Sequence, residues 1–414
     1  MMTTFSLTDL LRARVYDPGG SSVARVREVV ICPQEDAALV SALVVRDRQG
    51  DCLLPTSLIA SINGGVRVLV PRAEWPGYAS SEGLLLLERD LLDQQIIDVY
   101  GRKVVRVNDV DIRQETGSGH ALLKLTAVDV GPRGALRRLL KGMIPNIALR
   151  RLLVTVPPRL IPWEFVDLIE TDPARRVKLR ISNDRLSRLH PADIADILED
   201  LAPAEREAVF ETLDEEVAAG ALEEVHRKLR NSLVESLDSD HAADIVEEMD
   251  PDAAADLLGD LDQETSQEIL EEMEPQQREE MEELLEFKEN TAAGRMTTDY
   301  IALGPGSTVT QAIEQLRHHE GGLETLSTIF LVDESEVLVG AVPLSRIAIS
   351  TLETQLIELR TEPLISVGAG AREPEFIEQF DKYNLLMLPV VDDQGKLTGV
   401  ITADDIISLL RNQR

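Results

Sequence analysis

The feature that most constrains this chain is a short phrase repeated between Leu186 and Asn290. It reads Asp196-Ile-Leu-Glu-Asp-Leu-Ala-Pro203 and returns as Asp244-Ile-Val-Glu-Glu-Met-Asp-Pro251. It continues as Asp256-Leu-Leu-Gly-Asp-Leu-Asp-Gln263 and Glu268-Ile-Leu-Glu-Glu-Met-Glu-Pro275. The last three copies start twelve residues apart, which fits about two turns of helix and a tight turn. One unit of that length cannot bury its apolar face alone, so tandem copies stack, and the expected product is an α-helical superhelix.

The same stretch is strongly acidic. From Asp238 to Asn290 there are 21 Asp or Glu residues against two basic ones, Arg278 and Lys288, which is −19 of the chain's −32. Asp252, Asp256 and Asp260 are four residues apart and line one helical face, where each like-charged pair costs roughly 0.2–0.5 kcal/mol. Two readings stay open. The row is a solvated face screened by salt, or it holds divalent cations, with Asp244 in the preceding repeat as a further candidate ligand. Carboxylates without Cys or His beside them select hard cations such as Mg2+, Ca2+ or Mn2+.

A net charge of −32 argues against nucleic acid as a partner, because phosphates would be repelled. Cys32 and Cys52 form neither a disulfide framework nor a zinc spacing and read as core thiols, in keeping with a reducing cytoplasm. The N-terminus, MMTTFSLTDLLRARVYD, lacks the apolar core of a signal peptide, and no run approaches the roughly 20 apolar residues of a membrane span. No Ser/His/Asp arrangement, phosphate-cradling glycine loop or Cys/His metal site is visible, so no catalytic activity is expected. His190, His226 and His241 read as helix caps or surface residues.

Residues 1–78 carry short strands: Val23–Ile31, Ala42–Val45, Asp51–Pro55 and Val66–Val70, with turn signals between them. Residues 79–155 repeat the plan in divergent form, with a helical lead at Asp90, a turn at Gly101 and strands after it. Asp17-Pro-Gly-Gly20 before the first strand and the extended Leu54-Pro55 resemble the PRC-barrel family, which implies small all-β binding or adaptor modules. Arg133 to Leu152 is a basic amphipathic patch. It either touches an anionic membrane surface, at the inner face, or packs against acidic neighbours. Residues 156–181, with Pro157, Pro158 and Pro162, read as an extended connector anchored by Trp163 and Phe165. The acidic helices occupy 182–290, and Leu284 to Ala293 reads as a straight helical exit.

Residues 291–352 and 353–414 have the same βαββα order. The second half bears the signature Leu388-Pro-Val-Val-Asp-Asp-Gln-Gly-Lys-Leu-Thr-Gly-Val-Ile-Thr-Ala-Asp-Asp-Ile406, which resembles a CBS domain, so the two halves form an α/β CBS pair. An acidic superhelix, then Gly294-Arg-Met-Thr297, then a CBS pair resembles the cytosolic part of the MgtE magnesium transporters over roughly residues 182–414. That resemblance implies a homodimer held by the CBS pairs and Mg2+ ions bridging the helices and the CBS pair. By motif, Asp252 and Asp256 match the family's acidic ligands on the helical side, and Asp405 matches the ligand on the CBS side. The family's plug helix and membrane domain do not follow Arg414 in this sequence, and two barrel-like segments precede instead. The expectation is a multidomain, Mg2+-responsive regulatory protein with no pore of its own, contacting a membrane transporter or another protein through the barrels.

CBS pairs also bind adenine nucleotides such as ATP or AMP, through a Gly, a Ser or Thr and an Asp. Gly399, Thr402 and Asp405 fit that pattern, whereas the first half has Pro343 and Arg346 at the two polar positions. Asp405 cannot freely serve both ribose and metal. A third reading needs no ligand: Thr402 caps the last helix, with Asp405 in its first turn. A dimeric scaffold without any ligand response completes the alternatives.

Overall fold

The computed structural model describes residues 3–78, 83–116, 120–140, 155–169, 185–288, 290–319 and 326–412. The chain forms two compact units, residues 1–217 and 218–414.

The first unit begins with β1 (Thr3–Ser6), α1 (Leu7–Leu10), β2 (Arg14–Tyr16), β3 (Ser22–Ile31), α2 (Pro33–Asp36), β4 (Val40–Arg46), β5 (Asp51–Pro55), β6 (Ile59–Ile62) and β7 (Val66–Val68). It continues with β8 (Leu85–Leu86), α3 (Leu87–Asp90), β9 (Gln95–Asp98), β10 (Lys103–Arg106), β11 (Asp109–Thr116), β12 (Ala121–Asp129), α4 (Pro132–Leu140), β13 (Leu160–Pro162) and β14 (Val166–Leu168). Strand alternation follows apolar alternation: in β5 only Cys52 and Leu54 turn inward, the period of two that a half-buried strand requires. Cys52 is buried as expected, but Cys32 is only half-buried, because β3 ends at Ile31 and Pro33 starts a helix beside it.

The boundary drawn at residue 78 is crossed twice by strand pairing. β1 joins the sheet β1-β11-β12-β13, with Thr3 opposite Gln114, while β8 pairs with β3, with Val30 opposite Leu86. Each half also caps the other half's short helix. Glu28, buried on β3, accepts hydrogen bonds from the Glu88 and Arg89 amides at 2.7 and 3.1 Å and from Val29 at 2.9 Å. Asp109 on β11 accepts from the Thr8 and Val110 amides at 3.0 and 2.9 Å. These carboxylates meet amide donors that would otherwise be orphaned at helix starts. Both halves share one apolar core, which includes Leu7, Val29, Leu43, Leu91, Ile112 and Leu123.

Of the stretch 156–181 read as a connector, residues 156–169 belong to this body, and residues 170–181 lie outside the described residues. β13 pairs with β12 and β14 with β9, and Trp163 and Phe165 pack on the shared core. Of the basic patch, Arg137 pairs with Asp109 at 2.9 Å and Arg138 with Asp93 at 2.5 Å, and residues 141–154 lie outside the described residues. The unit also holds α5 (Pro191–Asp200) and α6 (Pro203–Phe210), and α7 (Glu215–Glu224) spans its boundary. His190 caps α5, its Nδ1 accepting from the Ala192 amide at 3.3 Å.

The second unit contains α8 (Arg227–Val234), α9 (Ser239–Glu247), α10 (Pro251–Asp260), α11 (Gln263–Glu272) and α12 (Pro275–Leu285). α10, α11 and α12 start at residues 251, 263 and 275, so the twelve-residue repeat is structural. The Pro or Gln that ends each phrase is the first residue of the next helix, where a missing or unused N–H costs nothing. Asp262 shows the cap most fully, accepting from the Glu264 and Thr265 amides, both at 3.1 Å. α9 packs on α11 and α10 on α12, so alternate helices bury each other's apolar faces.

The helical exit expected from Leu284 to Ala293 stops at Leu285. The Ala292 and Ala293 amides donate to the Ala371 and Ala369 carbonyls at 2.8 and 3.0 Å rather than back along the helix. The CBS region follows with β15 (Ala302–Leu303), α13 (Val309–Arg317), β16 (Thr328–Val332), β17 (Leu338–Pro343) and α14 (Leu344–Ala348). Its second half has β18 (Val367–Gly368), α15 (Glu373–Tyr383), β19 (Met387–Val391), β20 (Leu397–Thr402) and α16 (Ala403–Asn412). The two sheets, β15-β16-β17 and β18-β19-β20, have the same order and pack through Phe330, Leu338, Met387, Leu397 and Val400.

Candidate functional site

Within the second unit, one face of α10 along its length, the end of α7, the start of α8 and α16 line a cavity of about 480 Å3. Its walls include Glu223, Asp250, Asp252, Asp256, Asp260, Asp404 and Asp405, together with Arg227, Arg230 and Arg295. Acids thus outnumber arginines, and the helix repeat explains why: capping acids and the i, i+4 row of α10 face the same way.

Asp252 and Asp405, 153 positions apart by the difference of their numbers, meet here. Asp405 Oδ2 accepts from the Thr402 amide at 2.7 Å and from Thr402 Oγ1 at 2.6 Å, and Asp252 lines the same cavity close enough for the two carboxyls to repel. Burial, then repulsion from Asp405 and Asp250, raises Asp252 well above the usual carboxylate range. Burial likewise pushes Asp405 up to about 6, against the hydrogen bonds from Thr402. Glu223 is pushed up to about 7 by burial and then by repulsion from Asp250. Carboxyls crowded in this way need either a shared proton or a cation between them.

The other predicted ligands are placed differently. Asp260 is clamped by two arginines: Arg227 hydrogen-bonds one oxygen and Arg230 the other at 3.1 Å, leaving its side chain 3% exposed. Asp256 pairs with Arg295 at 2.5 Å. Asp244 is exposed on α9 and does not line the cavity. Sequence reasoning missed the partners Arg227 and Arg230, which lie 33 and 30 residues from Asp260 and share no motif with it. It also missed Glu223 and Asp250. The signal for Asp250 was available, since each acid before a Pro is a cap position.

A hard divalent cation fits these donors. Among the described residues no group of three or more His, Cys, Asp or Glu side chains is gathered to hold a metal ion. Mg2+ keeps several waters and takes one or two carboxylates, so Asp252 and Asp405 at the edge of a roomy cavity suit a hydrated ion. These two residues would hold it, with its charge replacing the proton that the pair otherwise needs.

The nucleotide candidates make internal contacts. Thr402 and Asp405 satisfy each other as a reciprocal helix cap, the Asp405 amide facing Thr402 Oγ1 at 3.5 Å. A Cβ on Gly399 would sit 2.6 Å from Met296 Sδ and 2.9 Å from the Thr297 carbonyl, so this glycine admits the incoming linker.

A stacked acidic helix repeat leads into a paired βαββα module, the architecture of an acidic helical domain joined to a CBS pair. Residues 189–290 match the family of the MgtE intracellular N domain, and residues 292–350 and 356–412 match the CBS domain. The chain is 31% identical over 130 residues to the magnesium transporter MgtE of Thermus thermophilus, covering 31% of this chain and 29% of that protein. It is 29% identical over 133 residues to the MgtE of Enterococcus faecalis, covering 32% of this chain and 29% of that protein. The chain therefore spans under a third of these relatives' length. The crystal structure of the soluble part of a magnesium transporter matches with TM-score 0.53 and 25% identity, over 57% of this chain and 92% of that one. The cytosolic domain of the Mg2+ channel MgtE in complex with ATP matches with TM-score 0.53 and 28% identity, over 56% of this chain and 94% of that one. Residues 189–412 are thus an MgtE N domain followed by a CBS pair, homologous to the cytosolic domain of MgtE. Neither matched family is an enzyme family. Among the described residues no helix is long and apolar enough to cross a membrane.

Proposed function

We propose that this chain is a cytoplasmic regulatory protein that responds to Mg2+. The observation that carries the reading is the Asp252–Asp405 pair, which joins the acidic helices to the CBS pair through two crowded carboxyls. Mg2+ between them relieves their repulsion and favours the close arrangement of helices and CBS pair. Losing the ion restores the repulsion and loosens that contact. One solved relative is the cytosolic domain of a Mg2+ channel, which supports the choice of ion.

The test is thermal unfolding of the full chain against MgCl2, with NaCl controls of equal ionic strength. A saturable rise with Mg2+ is expected, worth about 2.7 kcal/mol at a hundredfold excess over Kd. It is lost when Asp252→Asn and Asp405→Asn are combined. Equal rises in both salts mean screening alone and overturn the reading.

A second reading concerns ATP, with which the same relative forms a complex. ATP added to the titration tests it, with Thr402→Val as the control. We further propose that the chain dimerises through its CBS pair, where Ile349, Leu352, Ile407 and Leu410 are 87%, 53%, 65% and 50% exposed. The β-rich region is proposed as a pair of PRC-barrel-like adaptors that contact the regulated partner.

A further inference from the structure

We infer that Arg295 is a built-in cation that holds the carboxylate row of α10 against the CBS pair without metal. The argument starts from the backbone. The linker between α12 and β15 is laced to the second CBS half: Ala292 and Ala293 donate to the Ala371 and Ala369 carbonyls at 2.8 and 3.0 Å. The Thr297 amide donates to the Val400 carbonyl at 2.8 Å, and the Val400 amide donates back to the Thr297 carbonyl at 3.0 Å. Arg295 lies between these anchors, so its Cα belongs mechanically to the CBS side.

Its side chain points to the helices. One guanidinium nitrogen, Nη1, meets Asp256 Oδ2 at 2.5 Å, and Nε lies 4.0 Å from Glu373 on α15. One fixed positive charge thus sits between a carboxylate of α10 and a carboxylate of the CBS pair. This is the position a bridging divalent ion would take. The side chain is 22% exposed and Asp256 34% exposed, so water weakens the pair only in part. Asp256 lies one turn from Asp252 on the same face, so the arginine-held contact and the paired carboxyls brace the same helix end. Arg227 and Arg230 pair with Asp260 from α8, so they tie α10 to the helical repeat rather than to the CBS side. Of the α10 row, Asp256 and Asp260 are therefore served by arginines, and Asp252 is left to the ion or proton. The metal's role narrows to one junction, and the contact persists in part at low Mg2+.

This inference deepens the proposed Mg2+ response but its first half does not depend on it. The test is hydrogen–deuterium exchange of the full chain, following peptides of α10 and of the linker at 286–297, in EDTA and across a Mg2+ titration. In EDTA, Arg295→Gln is expected to exchange about tenfold faster than wild type in both segments, equivalent to about 1.4 kcal/mol. Arg295→Lys keeps the charge and recovers part of the protection. Asp256→Asn, which removes the same pair from the other side, reproduces the effect of Arg295→Gln and guards against a misfolded variant. Mg2+ then restores protection in Arg295→Gln by a larger factor than in wild type. Unchanged exchange in EDTA for both Arg295→Gln and Asp256→Asn overturns the inference, whatever Mg2+ does. Faster exchange in EDTA with no recovery in Mg2+ upholds the arginine latch and overturns the metal reading instead.

Discussion

Replacing Asp405 by Asn offers the sharpest check on the crowded carboxyl pair. An ordinary Asp titrates near 3.8, and Asp405 in the fold is pushed up to about 6. Because the folded value exceeds the unfolded one, the folded state binds the proton more tightly. The fold therefore loses stability as pH rises from about 3.8 to about 6, and the whole penalty is present above that. At about 1.36 kcal/mol for each tenfold change in proton affinity, the penalty is about 3 kcal/mol, and partial solvent access reduces it to about 1–3 kcal/mol. Asn carries no charge, and its Oδ1 still accepts from the Thr402 amide and Oγ1, which now reach Asp405 at 2.7 and 2.6 Å. In EDTA at about pH 8, Asp405→Asn should therefore be more stable than wild type. A gain of about 1–3 kcal/mol raises the melting temperature of the second unit by about 2–4 °C per kcal/mol. At about pH 4 the gain should vanish, since wild type then keeps its own proton. The same substitution removes the Mg2+-dependent rise. A variant that is less stable than wild type by the same amount at both pH values would refute the reasoning, because Asp405 would then be a simple hydrogen-bonding cap.

Glu223, pushed up to about 7, predicts a parallel loss of stability as pH rises from about 4.5 to about 7, which Glu223→Gln should flatten in a pH series of unfolding midpoints. Asp260→Ala leaves Arg230, whose side chain is 13% exposed, without its carboxylate, and should cost about 2–4 kcal/mol in urea unfolding while leaving the Mg2+ response in place. Gly399→Ala drives a methyl group to 2.6 Å from Met296 Sδ and should cost about 1–3 kcal/mol, with faster amide exchange in the linker. Glu28→Ala orphans the Val29, Glu88 and Arg89 amides and should destabilise the first unit by about 2–3 kcal/mol, read by tryptophan fluorescence from Trp75 and Trp163.

The helical repeat was readable because its determinants are local. A capping acid, a following Pro or Gln and an apolar stripe recur in one short window, and they place α10, α11 and α12 in register. The CBS signature from Leu388 to Ile406 is local in the same sense, covering β19, β20 and the start of α16. The candidate site was half readable. Asp252 and Asp405 share the cavity, but periodicity says nothing of which arginine finds which acid. Arg227 and Arg230 reach Asp260 only because α8 packs against α10. The first unit was least readable. Its strands were visible as alternating runs, yet their pairing was not, since β1 finds β11 and β8 finds β3 through side chains far away in sequence. The straight exit after Leu284 failed for a related reason: linker amides found carbonyls of the distant CBS half, which outcompete the next helical turn.

The exchange of strands in the first unit has a consequence for how the chain is made. Thr3 pairs with Gln114, 111 positions later by the difference of their numbers. At roughly 5–20 residues per second, a ribosome needs on the order of ten seconds to supply that partner. During this interval Leu7 and Leu10, fully buried in the finished unit, lack the Ile112 and Leu123 side of their core, and the Thr8 amide lacks Asp109. β1 is thus secured only after β11 has been made. The nascent chain carries an unpaired, strand-forming segment while most of its own β region is made, an interval in which holdase chaperones or a neighbouring polysome chain can compete for it.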